Sequence, residues 1–333
     1  GERDVEGVTA VDEPQPERCP PRVCDRHRVT EEARSRADSA LASAGSGGME
    51  PVPWFDSRYP ALLNCIPDPP PVLWTRGVAA VLNRPAVAVV GSRAATAYAA
   101  DVGYRLGGEL AERGVVVVSG LAGGVDSAAH RGCLESGGDT VAELGSGIDR
   151  VYPAEHDRLA QEIAKQGVVV SELGPGAAPL PEHFPLRNRI ISGISLAVVV
   201  VEASEKSGSL ITARCALEQG RDVLAVPGSV LSGRNRGSHS LLKDGAKVVE
   251  TADDILDELG WPGALEPTNT ATQLNRDPLL AAMEPGEVYR LEELVAKTAI
   301  LASKLLPRLM ELELQGQVAA VGGGRFTRSS PRR

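Results

Sequence analysis

The sequence predicts an α/β protein built on a doubly wound parallel sheet, with a small winged-helix domain at the C-terminal end. Between residues 86 and 259, seven short β-branched runs alternate with stretches of helical spacing. Repeated alternation of strand and helix is typical of a parallel sheet with right-handed crossovers. Several of the runs are apolar at consecutive positions, which indicates strands covered on both faces.

The elements of the sheet follow in order along the chain. We expect strands at residues 86–90, 115–118, 140–144, 168–170, 196–201, 223–226 and 247–249. Helical spacing of apolar residues predicts helices at 96–113, 125–136, 154–166, 209–219 and 252–259. These elements place one domain at residues 51–260.

The C-terminal region has a different pattern. Residues 261–278 contain Pro, Gly, Asn and Thr and are interpreted as a linker. Residues 279–283, 291–297 and 301–314 have helical spacing, and 317–326 resemble a hairpin with three glycines at its turn. Three helices and a hairpin predict a winged-helix domain at residues 279–328.

The first 50 residues are polar and end in a Gly/Ser-rich run. They contain too little apolar surface to offset chain entropy, so we expect a disordered or atypical leader. Cys19, Cys24 and His27 supply too few ligands for a zinc site, and no metal is predicted.

Composition excludes several classes of protein. The 333 residues carry a net charge of −9, and residues 51–266 alone carry −7. An acidic body argues against a broad electrostatic surface for nucleic acid, so any polyanion site must be a local pocket. No apolar run reaches the length of a membrane span, and the five cysteines are scattered. We therefore expect a soluble, cytoplasmic protein without disulfides.

Nearly every predicted strand ends in a turn that bears glycine or serine. Such turns gather at the carboxyl edge of a parallel sheet, where ligands bind at the switch in strand order. Glycines there allow close approach, and helix N-termini offer unpaired N–H groups to anions. Short βα turns favour these residues in any case, but their number favours an anion site. The turns begin at Gly91, Ser119, Gly145, Ser171, Glu202 and Pro227.

Four cations lie close to these turns: Arg93, Arg187, Arg189 and Lys206. An arginine directly after a strand-end Gly-Ser suits a phosphate or a base edge better than a core. Phe184 stands just before two of the arginines, and a ring beside cations suits single-stranded nucleic acid. The alternative is that these cations are solvated or pair with Glu202 and Glu205.

The usual catalytic and nucleotide-binding motifs are missing. The sequence has no P-loop, no dinucleotide fingerprint and no Ser–His–Asp or H-E-x-x-H pattern. Asp126 and His130 are four residues apart on one helical face, but we interpret Asp126 as an N-cap with His130 packed behind it. No catalytic residue and no cofactor are predicted.

Several motifs in one order resemble the DNA-processing protein A family, also called Smf. The resemblance covers about 200 residues, from Trp54 to about Asp257. It is carried by Tyr59-Pro60-x-Leu62-Leu63, Gly91-Ser92-Arg93, Ser119-Gly120-Leu121-Ala122-Gly123-Gly124-Val125-Asp126, Tyr152-Pro153, Phe184-Pro185-x-Arg187-Asn188-Arg189, Lys206-Ser207-Gly208-Ser209 and Ala225-Val226-Pro227-Gly228.

The resemblance implies a Rossmann-like domain with a pocket for single-stranded DNA. It also implies dimerisation through that domain and loading of RecA recombinase during natural transformation, without catalysis and without a membrane. Our candidate DNA-binding residues are Gly91, Ser92, Arg93, Ser119, Gly120, Gly123, Gly124, Phe184, Arg187, Asn188, Arg189, Lys206, Ser207, Gly208 and Ser209. Glu143 departs from the family because that position is usually apolar, and residues 1–50 do not resemble the family's helical N-terminal domain.

Two other functions compete with this one. A nucleoside-phosphate hydrolase on a related sheet needs a P-G-G-x-G-T-x-x-E signature, whereas this chain has only Pro227-Gly228-Ser229. A transcription regulator would read DNA with its winged helix. That function is weakened by the net charge of only +2 over residues 267–333.

Overall fold

The computed structural model describes residues 31–261, 278–284, 287–298, 300, 302–314, 317–322 and 325–328. Nine strands form the larger sheet: β1 (Glu50–Pro53), β2 (Val72–Gly77), β3 (Ala86–Val90), β4 (Val116–Ser119), β5 (Thr140–Glu143), β6 (Val168–Ser171), β7 (Ala197–Val200), β8 (Asp222–Ala225) and β9 (Lys247–Val248). Their order in the sheet is β1-β2-β6-β5-β4-β3-β7-β8-β9.

Helices cover both faces of this sheet. They are α1 (Glu31–Ser46), α2 (Ala61–Asn64), α3 (Ala97–Glu112), α4 (Val125–Glu135), α5 (Asp157–Gln166), α6 (His183–Ile194), α7 (Ser209–Glu218), α8 (Arg236–Lys243) and α9 (Ala252–Glu258). In the part of the chain that the structure describes, no helix has the length and apolar character needed to cross a membrane.

The predicted parallel sheet is confirmed. Strands β3 to β9 all pair in parallel, and each predicted run overlaps one of them. Every residue of β3 is buried, and alternate positions belong to different cores. Ala88 and Val90 pack with α6 and α7, whereas Val87 and Val89 pack with α3, α4 and α9. Burial on both faces explains why this strand is apolar throughout.

The strand order reverses direction at β3. Strands β4, β5 and β6 extend to one side of β3, and β7, β8 and β9 extend to the other. The turns after β3 and β7 therefore diverge into helices on opposite faces and leave a crevice at the carboxyl edge. This crevice is the switch point that the glycine-bearing turns predicted.

The structure also contains elements that the sequence analysis missed. Strands β1 and β2 extend the sheet in antiparallel pairing, with β2 hydrogen-bonded to β6. The helix α1 corrects the expected leader, because Ala44 and Met49 at its end are buried in a core that includes Leu144 and Ile163. These two apolar side chains attach the segment to the core, although the average composition of the first 50 residues is polar. Residues 1–30, with Cys19, Cys24 and His27, lie outside the described residues.

The linker begins later than predicted. Trp261 packs against the core on the α3, α4 and α9 side of the sheet, and its N–H donates to the Leu256 carbonyl. It therefore belongs to the larger domain. The rest of the expected linker, residues 262–277, lies outside the described residues.

The C-terminal unit has the predicted winged-helix elements. They are α10 (Pro278–Ala281), β10 (Val288–Arg290), α11 (Leu291–Thr298), α12 (Ala302–Leu314), β11 (Val318–Gly322) and β12 (Arg325–Arg328). The strands form a sheet in the order β10-β12-β11, around a core that includes Leu279, Leu294, Leu309 and Phe326. β10 was not predicted.

Candidate nucleic-acid interface

A cavity of about 570 Å³ opens at the switch point of the sheet. Its walls come from the turn after β3, the start of α4, one face of α6 and the start of α7. Of the predicted DNA-binding residues, it brings together Gly91, Ser92, Arg93, Phe184, Arg187, Asn188, Ser207, Gly208 and Ser209. The other six lie elsewhere, each for a specific reason given below.

One face of α6 forms a wall of the cavity. Phe184, Arg187, Asn188 and Ile191 all line it, and their spacing of three, four and seven residues is that of one helical face. Pro185 lies in the first turn, where a helix tolerates proline. The segment was not predicted as a helix, although this spacing was available in the sequence.

Arg93 lies at the mouth of the cavity. Its guanidinium carbon is 5.3 Å from the centre of the Phe184 ring, a cation–π arrangement. The Tyr152 ring also packs against Phe184, with 5.5 Å between the ring centroids. Arg93 is exposed, and among the described residues no carboxylate lies within ion-pair distance of it. The expected alternative, pairing with Glu202 or Glu205, does not occur at Arg93.

The start of α7 supplies polar groups to the opposite wall. Ser207, Gly208 and Ser209 line the cavity immediately before and at the first turn of the helix. The Ser207 hydroxyl contacts the Ser209 hydroxyl at 2.7 Å, which fixes both side chains. The positive end of the α7 helix dipole favours an anion at this position.

Arg187 is a buried cation rather than an exposed one. Its side chain donates to the carbonyl oxygen of Gly120 at 2.7 Å and to that of Glu143. It thereby joins α6 to the ends of β4 and β5. Burial lowers the pKa of Arg187, while the nearby carboxyl groups of Asp126 and Glu143 raise it.

Four of the predicted contacts instead form the support of the cavity. Ser119 and Gly120 are buried, and the Ser119 hydroxyl donates to the Val89 carbonyl. Gly123 and Gly124 pack against the backbone of the turn after β3. Gly124 has φ +72°, and a Cβ there would lie 2.2 Å from the Ser92 carbonyl oxygen, so only glycine allows this approach.

Arg189 and Lys206 do not line the cavity. Arg189 is two residues from Arg187 on α6, so its side chain leaves the helix in almost the opposite direction. It forms ion pairs with Glu172 at 2.7 Å and Asp68 at 3.5 Å. Lys206 is exposed beside the cavity-lining Ser207. Arg187 and Arg189 were both expected beside the Phe184 ring, but on α6, which was not predicted, they lie on different sides of the helix.

Asp126 and His130 have the structural role that was expected, with one correction. Gly124, not Asp126, occupies the N-cap position. The Asp126 carboxylate accepts hydrogen bonds from the N–H groups of Gly120 and Ala122. His130 lies 2.7 Å from the Thr140 hydroxyl, and burial lowers its pKa to about 3. Asp126 therefore stabilises the turn after β4, and His130 joins α4 to β5.

Glu143 is fully buried beneath the cavity. Neither of its carboxyl oxygens has a hydrogen-bond partner in the described part of the chain. Burial raises the pKa of Glu143 well above its usual range, although Arg187 opposes the shift. Burial thus favours the protonated form of Glu143, because a buried carboxylate without a hydrogen bond is strongly disfavoured.

We predict that Arg187→Met lowers the free energy of unfolding by about 3–5 kcal/mol, because two backbone carbonyls and a buried carboxyl group lose their cation. Urea unfolding of the two full chains measures the difference. Arg158→Ala is the control, since the Arg158 side chain is 91% exposed and its loss should change stability by at most about 0.5 kcal/mol. Equal unfolding of the Arg187 variant and the parent would contradict this role.

A second prediction concerns the pH dependence of stability. The pKa of Glu143 is raised in the folded chain, so the folded state holds a proton that the unfolded state releases above pH 4.5. Stability is therefore lost as pH rises, by about 1.4 kcal/mol per pH unit until the folded pKa is reached. Glu143→Gln removes this loss, so its stability relative to the parent should increase from pH 5 to pH 8. Glu162→Gln, on the surface of α5, is the control; a constant difference for Glu143→Gln would refute the prediction.

Comparison with known proteins agrees with this architecture. The family model for DNA recombination-mediator protein A matches residues 51–260, and that for the DprA winged helix domain matches residues 263–324. Protein Smf of Escherichia coli is 38% identical over 303 residues, which cover 87% of this chain and 80% of that protein. DNA processing protein DprA of Streptococcus pneumoniae is 47% identical over 204 residues, which cover 61% of this chain and 72% of that protein.

Solved structures give the same result. The X-ray structure of S. pneumoniae DprA has a TM-score of 0.63 and 44% identity, covering 66% of this chain and 77% of its own. A Helicobacter pylori DNA processing protein A, described with a single-stranded DNA binding mode, has a TM-score of 0.58 and 29% identity. That similarity covers 63% of this chain and 95% of the H. pylori chain. With two matching domain models and relatives aligned over most of its length, the chain belongs to the DNA processing protein A family.

Proposed function

We propose that the chain is a non-catalytic recombination mediator that binds single-stranded DNA, protects it, and loads RecA recombinase onto it during natural transformation. The observation that carries the proposal is the cavity at the switch point, where the Arg93 guanidinium lies over the Phe184 ring. A cation and an aromatic face in one pocket can hold a phosphate and an unpaired base together. The H. pylori relative, described as binding single-stranded DNA, supports this proposal.

The charge distribution of the larger domain favours a local site for a single strand over an extended surface for duplex DNA. Residues 51–266 carry −7, so phosphates are attracted only where cations are concentrated. Arg93, Lys206 and the start of α7 provide that concentration around one cavity. Stacking on Phe184 needs a base that is not paired, which favours single-stranded DNA.

The contacts of the acidic groups support a non-catalytic site. Asp126 reaches the cavity, but its carboxylate already accepts two backbone N–H groups. Glu143 lies beneath the cavity and does not line it. Neither carboxyl group is placed as a free general base. We expect no base release from nucleoside monophosphates, and turnover that survives repeated purification would favour the hydrolase alternative.

The RecA part of the proposal is supported by the family to which the chain belongs, whose model is described as a recombination mediator. Such a protein must hold the strand and then hand it to the recombinase. The test is whether the full chain speeds RecA assembly on single strands already covered by another single-strand-binding protein. No acceleration would limit the function to DNA binding.

Dimerisation through the larger domain is supported by one edge of the sheet. Among the residues that the structure describes, strand β9 pairs with β8 on one side and with no strand on the other. Val248 on this strand is 57% exposed, and Leu217 on α7 is 61% exposed. α7 packs against β7 and β8, so both apolar side chains belong to the same end of the sheet.

The DNA proposal predicts the effect of Arg93→Ala on binding to poly-dT. Loss of a charge-assisted phosphate contact should weaken binding about 10- to 100-fold. It should also flatten the plot of log affinity against log salt by about 0.7. Lys206→Ala should act in the same direction. Phe184→Ala should weaken binding with a smaller change in salt dependence, since the charge of Arg93 remains.

Arg158→Ala is the matched control, an exposed arginine on α5 away from the cavity. Its affinity and salt dependence should equal those of the parent. Fluorescence anisotropy at several salt concentrations measures all four variants. If folded Arg93→Ala and Lys206→Ala bind poly-dT as the parent does, the cavity is not the binding site.

The dimer proposal predicts that Val248→Glu gives a monomer, because it places a charge at an apolar contact. Sedimentation equilibrium of the full chain measures the mass. Leu41→Glu, on α1 at the opposite end of the sheet, is the control and should leave the mass unchanged. A parent chain that is already monomeric, or a variant that remains dimeric, would refute the use of this edge.

A further inference from the structure

Aromatic side chains concentrate at one edge of the large sheet. The chain has only three Trp, five Tyr and three Phe. More than half of them lie at the carboxyl edge: Trp54, Phe55, Trp74, Tyr98, Tyr152 and Phe184. The cavity uses Tyr152 and Phe184. Trp54 and Phe55 have no role in the site described so far.

Topology places Trp54 and Phe55 at this edge. Strand β2 is antiparallel to β6, with Trp74 opposite Ser171, the last residue of β6. Strand β1 is antiparallel to β2, so Pro53 at its end lies opposite Val72. The two aromatic residues follow Pro53 directly. They therefore lie on the same side of the sheet as the cavity, beyond β6 and β2.

These two rings are exposed on a well-defined turn. Phe55 is 77% exposed and Trp54 is 57% exposed, with their rings edge to face at 6.0 Å between centroids. The Trp54 N–H donates to the Pro71 carbonyl and the Asp56 N–H to the Pro53 carbonyl. Arg58 forms ion pairs with both Asp56 and Glu50, and these pairs tie the turn to strand β1. Two large apolar faces are thus held toward solvent at a fixed position.

The distance to the cavity suits a DNA strand. Phe184 packs against Gly145, just after β5, and three steps across the sheet lead from β5 to β1. At about 4.8 Å per strand, this is about 15 Å. About four nucleotides span that distance at the 3.4 Å spacing of a stacked strand. Trp74 and the Tyr152 ring lie along the interval.

We propose that Trp54 and Phe55 form a second base-stacking site for the single strand that leaves the cavity. The inference rests on the proposed function and extends it along the sheet edge. Its ligand is any unpaired base, because stacking does not require a particular sequence. Continuity with the cavity along one edge favours DNA over a protein partner at these rings.

The charged residues around the two rings indicate that this site binds by stacking and not by phosphate contacts. Arg58 is balanced by Asp56 and Glu50, and the Arg58 guanidinium lowers the pKa of Asp56 to about 2. The Asp56 carboxylate therefore stays ionised, and the turn offers phosphates no net attraction. Stacking supplies the binding at this site, so its loss should leave the salt dependence of affinity unchanged.

The test uses the full chain with Trp54→Ala and Phe55→Ala combined, and oligothymidines of about three nucleotides, too short to reach both sites, and about twenty nucleotides. We expect the longer strand to bind at least about fivefold more weakly to the variant than to the parent. The shorter strand should bind equally to both. The aromatic replacement Trp54→Tyr with Phe55→Tyr should restore the affinity. Val78→Ala, an exposed apolar side chain at the opposite edge of the sheet, is the control.

A second measurement observes the ring directly. With Trp74→Phe and Trp261→Phe, Trp54 is the remaining tryptophan, and its emission should be quenched by the longer strand but not by the shorter one. Equal affinity of parent and double-alanine variant for the longer strand, with unquenched Trp54, would overturn the inference and leave the cavity intact. A change in oligomeric mass with unchanged DNA affinity would also overturn it, in favour of a protein contact. A parent that binds neither strand would refute the proposed function itself.

Discussion

The buried guanidinium of Arg187 is the interaction on which the site depends. It binds the carbonyl groups that follow β4 and end β5, and it comes from the same helical face that carries Phe184 and Asn188 into the cavity. One cation thus fixes the angle of α6 against two strand ends. Burying it carries a desolvation cost, which the carbonyl contacts and the nearby carboxyl groups of Asp126 and Glu143 offset in part. The same buried guanidinium therefore holds the cavity in shape and carries the desolvation cost.

The large sheet could be predicted from sequence because burial on both faces leaves a strong pattern. β3 is apolar at five consecutive positions, whereas a strand with one face in solvent would alternate between apolar and polar residues. The location of the site followed from strand-end glycines and a general rule about switch points. Arg93 and Phe184 were candidates because they belong to clear motifs, and the structure places the Arg93 guanidinium over the Phe184 ring.

The failures have physical reasons as well. Arg187 and Arg189 are two residues apart and leave α6 on opposite sides, so their roles depend on a helix that was not predicted. The charge of Arg187 suggested solvent or phosphate, whereas tertiary contacts pair it with backbone carbonyls. Helix α1 depends on a few contacts at its end, through Ala44 and Met49, which average composition cannot reveal. Strand β1 has only four residues, and two of them are proline, so it lacks a strand signal.

The contact between Arg93 and Phe184 has a consequence for how a ligand is received. A free arginine side chain samples many rotamers, and restricting them costs about 2 kcal/mol of entropy. Here the guanidinium already rests on the ring before any ligand arrives, so part of that ordering has been completed during folding. Preorganisation of this kind lowers the entropic penalty of association rather than adding new contacts. A small site with few cations can thereby bind more tightly than its number of charges suggests.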